Sequence, residues 1–181
     1  MKIGITFYLR KPQGGYRMSI RIIALDPGGT TGWALADIEE GGHIEFRHDM
    51  LERMNHHKEL HDTLESFEPD IIVCESFEYR NANRPGLELI SVEYIGVMKL
   101  FAETSGTPYV MQKAAQGKIR DKPTAFVKPD NLKRLDLYHP NQVHAMDAYG
   151  HLLYYIINKP GDVDITLRQA KMRLLTKGWK D

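Results

Sequence analysis

Two short apolar runs constrain the fold of this chain more than anything else in it: Ser19–Leu25 (SIRIIAL) and Asp70–Cys74 (DIIVC). Neither alternates strictly between apolar and polar residues, so each reads as a strand covered on both faces. Such strands occur where helices pack on either side of a sheet with parallel neighbours. Each run is also followed at once by an acid. Asp26 opens the turn Asp26-Pro27-Gly28-Gly29, and Glu75 comes directly after Cys74.

The elements around these runs are legible from spacing and punctuation. Trp33–Ile38 and His43–His48 read as two further strands, and Gly41-Gly42 between them signals a hairpin. In His56–Phe67, Leu60, Leu64 and Phe67 recur at helical spacing, and Pro69 ends the helix. Leu87–Thr104 reads as a long amphipathic helix broken by Gly106 and Pro108, with a short strand at Tyr109–Met111. The stretch Ala115–Lys128, rich in Lys, Arg, Gly and Pro, reads as a mobile basic loop or lid. Pro129 suits the first turn of a short helix to Leu137. A helix follows from Val143 to Ile157, stopped by Pro160, and Asp164 caps a last basic helix to about Lys177. The expected fold is α/β, a mixed five-stranded sheet (three antiparallel strands, then parallel ones) flanked by helices. It occupies residues 18–160, after an N-terminal extension over 1–17 and before a basic C-terminal helix in 161–181.

Length and composition set bounds. A chain of 181 residues, 42% hydrophobic and 27% charged, suits one soluble domain with a full core. No apolar run approaches the ~20 residues of a membrane helix, and the N-terminus lacks the apolar core of a signal peptide. A cytoplasmic location is expected. Cys74 is the only cysteine, which excludes an intrachain disulfide and a cysteine-built zinc site. The net charge of zero hides an uneven distribution. Asp37–Glu78 holds 13 acids against 3 bases, Lys113–Arg134 holds 7 bases against 2 acids, and Ile165–Asp181 holds 5 against 1. The basic segments could track phosphates, but charge alone favours the plainer reading, a mosaic of solvated helix faces.

Three acids stand where chemistry is expected. Asp26 and Glu75 end their strands, and strand C-termini form the ligand-binding edge of a sheet with parallel neighbours. Asp147 lies near the start of the helix from Val143, in an apolar stretch where a carboxylate without a partner is costly. Crowded carboxylates repel and raise one another's pKa, and divalent cations remove the conflict. Magnesium and manganese prefer oxygen ligands, and two such ions about 3.5–4 Å apart promote phosphodiester hydrolysis. His144, three residues before Asp147, is a candidate ligand or proton shuttle. His151 reads as a packed, hydrogen-bonded histidine, and His56, His57 and His61 read as surface residues. Singly, Asp26 could be a turn residue and Glu75 a loop carboxylate.

These residues carry a family resemblance. IIALDPGGTTGWAL resembles the opening of RuvC-like Holliday junction resolvases, a bacterial and phage branch of the ribonuclease H-like nucleases. EPDIIVCESFEYRNANRPGLELISVEYIGVMKLFAE resembles the second motif of that family, and VHAMDAYGHLLYYI its C-terminal helix. The likeness runs from about Ile20 to Asn158. It implies that Asp26, Glu75 and Asp147 are catalytic, metal-binding carboxylates. His144 stands where most members carry a further acid and some carry His. The implied cofactor is Mg2+ or Mn2+, two ions. The implied activity is that of a metal-dependent endodeoxyribonuclease cutting four-way or other branched DNA. The aromatic that wedges near the junction falls on Phe77 or Tyr79, with Arg80 beside them. The basic residues near the scissile phosphate fall on Lys118 and then Lys128. Such enzymes are homodimers, and the helix beginning near Leu87 would supply the interface through Ile90, Tyr94 and Val97.

Three other readings compete. One is a ribonuclease H-like nuclease acting on RNA or hybrid. Another is a protein that holds junctions without cutting them, which His144 keeps open. The third is one lobe of an actin-like ATPase, whose phosphate loop Asp26–Gly32 resembles.

Overall fold

The computed structural model describes residues 19–51, 56–77, 89–120, 125–158 and 164–177. The N-terminal extension, Tyr79, Arg80 and Leu87 therefore lie outside the described residues. Five strands form one sheet: β1 (Ser19–Asp26), β2 (Thr31–Glu39), β3 (Ile44–Leu51), β4 (Ile71–Ser76) and β5 (Tyr109–Lys113), in the order β3-β2-β1-β4-β5. The first three strands pair antiparallel, and β4 joins β1 and β5 in parallel. The sheet is the mixed one expected, and the two apolar runs are its central neighbours.

Period-two alternation sorts the core into two layers. Ile22 and Ala24 of β1, Ala34 and Ala36 of β2 and Val73 of β4 face α5 (Val143–Asn158) and α6 (Ile165–Lys177). Ile23, Leu25, Leu35, Ile72 and Cys74 face α1 (His57–Phe67) and α2 (Ile90–Ser105). Both faces are covered, which is why β1 and β4 lack a polar side. The alanines on the α5 face leave room for a helix that is itself buried along most of its length. The same parity puts the Asp26 and Glu75 side chains on the α5 face.

The hairpin at Gly41-Gly42 forms with both residues at positive φ, 85° and 76°, the conformation its tight turn requires. A side chain on Gly42 would meet the α6 backbone, with the Gln169 carbonyl carbon 2.5 Å from its Cβ. Helix α6 thus packs at the end of the sheet opposite Asp26. Its first turn is held by Asp164, whose Oδ1 accepts from the backbone of Thr166 and Leu167 at 2.9 and 3.1 Å. Among the described residues no helix is long and apolar enough to cross a membrane.

Some expectations change. Strand β4 continues through Glu75 to Ser76, and β5 through Gln112 to Lys113, because the two ladders pair past their apolar parts. The basic stretch read as a mobile lid is packed at both described ends. Helix α3 (Ala114–Gly117) lies on α5, and Val127 is fully buried. The small and apolar residues that anchor it are masked in the sequence by Lys, Arg and Pro. The short helix from Pro129, α4 (Pro129–Arg134), stops before Leu137. His56 is buried rather than exposed. Its ring stacks on Tyr94 with centroids 3.9 Å apart, and its Nε2 lies 2.7 Å from the Thr31 hydroxyl. Tyr94 is correspondingly part of its own chain's core, not of an outer face.

Candidate active site

The C-terminal edge of β1 and β4 gathers the three acids. Asp26 ends β1, Glu75 stands one residue before the end of the adjacent parallel strand, and Asp147 arrives from the second turn of α5. A single cation ties them together. The Lys118 ammonium lies 3.9 Å from Asp26 Oδ1, 3.6 Å from Glu75 Oε1 and 3.9 Å from Asp147 Oδ2. Lys118 follows α3, and the neighbouring Ile119 N–H donates to Asp147 Oδ1 at 3.0 Å. The segment read as a lid therefore supplies both the counter-charge and one carboxylate anchor.

The approach of α5 to the sheet depends on Gly32, the register partner of Asp26 across the β1–β2 ladder. A Cβ there would lie 2.1 Å from the His144 carbonyl group. With none present, the first turn of α5 rests on β2, and His144 Nδ1 reaches Asp26 Oδ2 at 2.8 Å. Farther along α5, His151 is packed and hydrogen-bonded as expected. Its partner, Glu75 Oε2 at 3.0 Å, was not legible from the sequence, and neither was Gln112, 2.8 Å from its Nδ1. The i, i+7 spacing from His144 to His151 was the one available signal that both rings share a helix face.

The electrostatics follow from crowding and partial burial. Burial, the largest influence, pushes the Asp26 carboxyl up. The His144 hydrogen bond, the Lys118 charge, hydrogen bonding with Glu75 and the His144 charge together outweigh it and hold Asp26 below the ordinary carboxylate range. Asp147 goes the other way. Burial raises it, the Ile119 N–H and Lys118 draw it down, and the negative charges of Asp26 and Glu75 push it up, leaving it above its usual value. The hydrogen bond to Asp26 raises His144 above the ordinary histidine value; burial and Lys118 oppose this, and the Asp26 and Asp147 charges reinforce it.

These shifts give a signed expectation. His144 is raised, so its stabilising contribution is complete below 6.5 and fades as pH climbs through its folded-state value. Asp26 is lowered, so its contribution is complete above 3.8 and fades as pH falls through its folded-state value. In chelating buffer, the melting-temperature gap between wild type and His144→Ala is predicted to be widest between those two values and to narrow at higher pH. Thermal melts across pH check this, and a gap that does not vary would remove the ion pair from the account.

The donor set suits a hard divalent cation. Three carboxylates turn an oxygen toward one point, and a cationic group already stands there. Oxygen donors in this number are those magnesium and manganese take, with imidazole as an acceptable addition for manganese. A cavity of about 230 Å³ opens beside the cluster, lined by Pro27, Glu75, Ser76, Phe77, Lys118 and Arg120 among others. Phe77 is 40% exposed at its mouth. Lys128 precedes α4, and the basic groups lining the cavity are Lys118 and Arg120. Arg120 did not stand out from the sequence. Among the described residues only His61, Asp62 and Glu65, on a largely exposed turn of α1, bring three ligand atoms within 4.8 Å of one another; the oxygens of Asp26, Glu75 and Asp147 stand farther apart, around the Lys118 ammonium.

No family model matches the chain, and no curated protein matches it. Solved structures do. The RuvC structure of Thermus thermophilus is similar at 18% identity and TM-score 0.55, over 75% of this chain and 93% of that one. T. thermophilus RuvC in complex with Holliday junction substrate is similar at 17% identity and TM-score 0.56, over 75% and 92%. The fowlpox virus Holliday junction resolvase is similar at 15% identity and TM-score 0.51, over 75% and 97%. The chain has the fold of the RuvC-like resolvases.

Proposed function

We propose that this RuvC-like fold carries a divalent-metal-dependent endonuclease that cuts four-way or otherwise branched DNA. One observation carries the reading: three carboxylates at the edge of adjacent parallel strands converge on a single cationic point beside an open, basic-rimmed cleft. The solved complex of a similar RuvC with Holliday junction substrate supports the choice of DNA.

Asp26, Glu75 and Asp147, with His144 beside them, are the residues that would hold Mg2+ or Mn2+, two ions. Bound cations supply the positive charge that polarises an attacking water and offsets charge on the leaving oxygen. The chain's own residues orient the substrate. Lys118 and Arg120 line the cleft and pair with phosphate, and Phe77 at its mouth stacks on or wedges between bases. Tyr79 and Arg80 extend that segment in sequence, and Lys128 adds a phosphate contact. The products are 5′-phosphate and 3′-hydroxyl ends.

The enzyme acts as a homodimer. The outward face of α2 and its N-cap residue present Leu89, Val92, Gly96 and Leu100 at spacings of three and four, an apolar seam that includes a glycine. Ile90 and Val97, half-buried, flank it; Tyr94 is excluded by its burial.

The test uses synthetic four-way junctions, linear duplexes and RNA–DNA hybrids with Mg2+ or Mn2+. Paired, symmetric nicks confined to the junction are expected, made by a species with the mass of two chains. Equal cutting of linear duplex, preference for the hybrid, or activity in a strict monomer would each defeat the corresponding part of the reading.

A further inference from the structure

We propose that His151, backed by Gln112, is a positioning residue that fixes which oxygen of Glu75 faces the cation site, a role that rests on the nuclease reading above. The ring is fully buried on α5, four residues beyond Asp147. Its Nε2 lies 3.0 Å from Glu75 Oε2 and its Nδ1 2.8 Å from Gln112 Oε1.

The Gln112 amide can face only one way. Its Nε2 donates to the backbone carbonyl of His151 at 3.3 Å, so its Oε1 faces the ring and accepts from Nδ1–H. The other ring nitrogen is left for Glu75 alone. That contact, at 3.0 Å, engages Oε2. The remaining oxygen, Oε1, is the one 3.6 Å from the Lys118 ammonium, at the point where the three acids converge. Turning the carboxyl over would break the bond to His151 and swap the two oxygens.

The clamp is rigid by construction. Gln112 is the register partner of Glu75 across the β4–β5 ladder, so ligand and anchor sit on neighbouring strands. Two glycines close α3 and α5 over the ring. A Cβ on Gly117 would lie 2.3 Å from the ring's Cγ and Nδ1, and a Cβ on Gly150 would lie 1.7 Å from the Gly117 carbonyl oxygen. The imidazole has no room to swing away from Glu75. Partners that orient a metal-ligating side chain in this way are worth roughly 10–100-fold in metal affinity or activity.

Two substitutions separate this role from simple burial. His151→Gln places an amide N–H near the position of Nε2, toward Glu75. His151→Asn keeps the shorter bond toward Gln112 and loses the one to Glu75. Mn2+ binding to the full-length, DNA-free protein, measured by calorimetry, is expected to weaken about 10–100-fold in His151→Asn and to recover most of that loss in His151→Gln. Melting temperatures serve to show that both fold. Equal Mn2+ affinity in the two variants overturns the clamp. If neither folds, Gln112→Met removes the ring's other anchor: weakened Mn2+ binding is expected, and wild-type binding overturns the proposal. Asp26→Asn separates the two levels. If it loses Mn2+ while the His151 variants bind equally, the clamp alone fails. If it binds Mn2+ like the wild type, the metal-nuclease reading and the clamp fail together.

Discussion

Replacing Asp26 with Asn is expected to lower junction cleavage by about 10³-fold, the scale on which removing one group that stabilises transition-state charge acts, or about 4 kcal/mol. The substitution keeps shape and removes a charge at the most buried of the three acids, where only 4% of the residue is exposed. Its effect is therefore chemical rather than volumetric. The Asn amide can still bond His144, but it removes the negative charge beside that ring and one of three carboxylates from Lys118. It also relieves the repulsion that raises Asp147. These changes oppose one another in stability but not in catalysis. Single-turnover cleavage of a labelled junction, read beside a thermal melt, separates them. Cleavage surviving Asp26→Asn would place the chemistry elsewhere. A wild type that holds junctions but cuts none in either cation would leave only the binding reading.

The second large effect is structural. Gly32→Ala is expected to destabilise the protein by about 3 kcal/mol, near the upper end for overpacking, and to lower the melting temperature by about 6–12 °C. The obstacle is backbone. The new methyl would sit 2.1 Å from the His144 carbonyl carbon and oxygen and 2.5 Å from the Ala145 nitrogen, so no side-chain rotation relieves it. Helix α5 must retreat from β2, carrying His144 and Asp147 away from Asp26. Cleavage should then fall at temperatures where the variant is still folded. Gly29→Ala is the control for stability, because a Cβ at Gly29 meets nothing within 4 Å. If the two variants melt together, the close seating of α5 on β2 is not what holds the site in place.

What could be read from the residues alone followed periodicity and punctuation. Asp26 and Glu75 stood out because each directly follows an apolar run, and a strand covered on both faces lies in the middle of a sheet. Asp147 stood out because an acid among Ala145, Met146 and Ala148 needs a reason to be there. The likeness to the resolvases added Lys118, which composition alone showed only as one base among many. Other features left no local mark. The bond from His151 to Glu75 spans 76 residues and that from Gln112 to His151 spans 39, beyond any helical or strand period. Gln112 was further hidden because its strand looked finished at Met111, where the apolar residues end. His56 and Tyr94 were misread for the same reason: they stack across 38 positions, and neither's burial is visible from its neighbours.

Crystals soaked in Mn2+ and measured at the manganese absorption edge would test the central claim most directly. The account predicts anomalous density at the point now held by the Lys118 ammonium, among Asp26, Glu75 and Asp147, with the lysine displaced. Density confined to the exposed His61–Asp62–Glu65 turn, or a Lys118 still seated among the three carboxylates at saturating Mn2+, would contradict it.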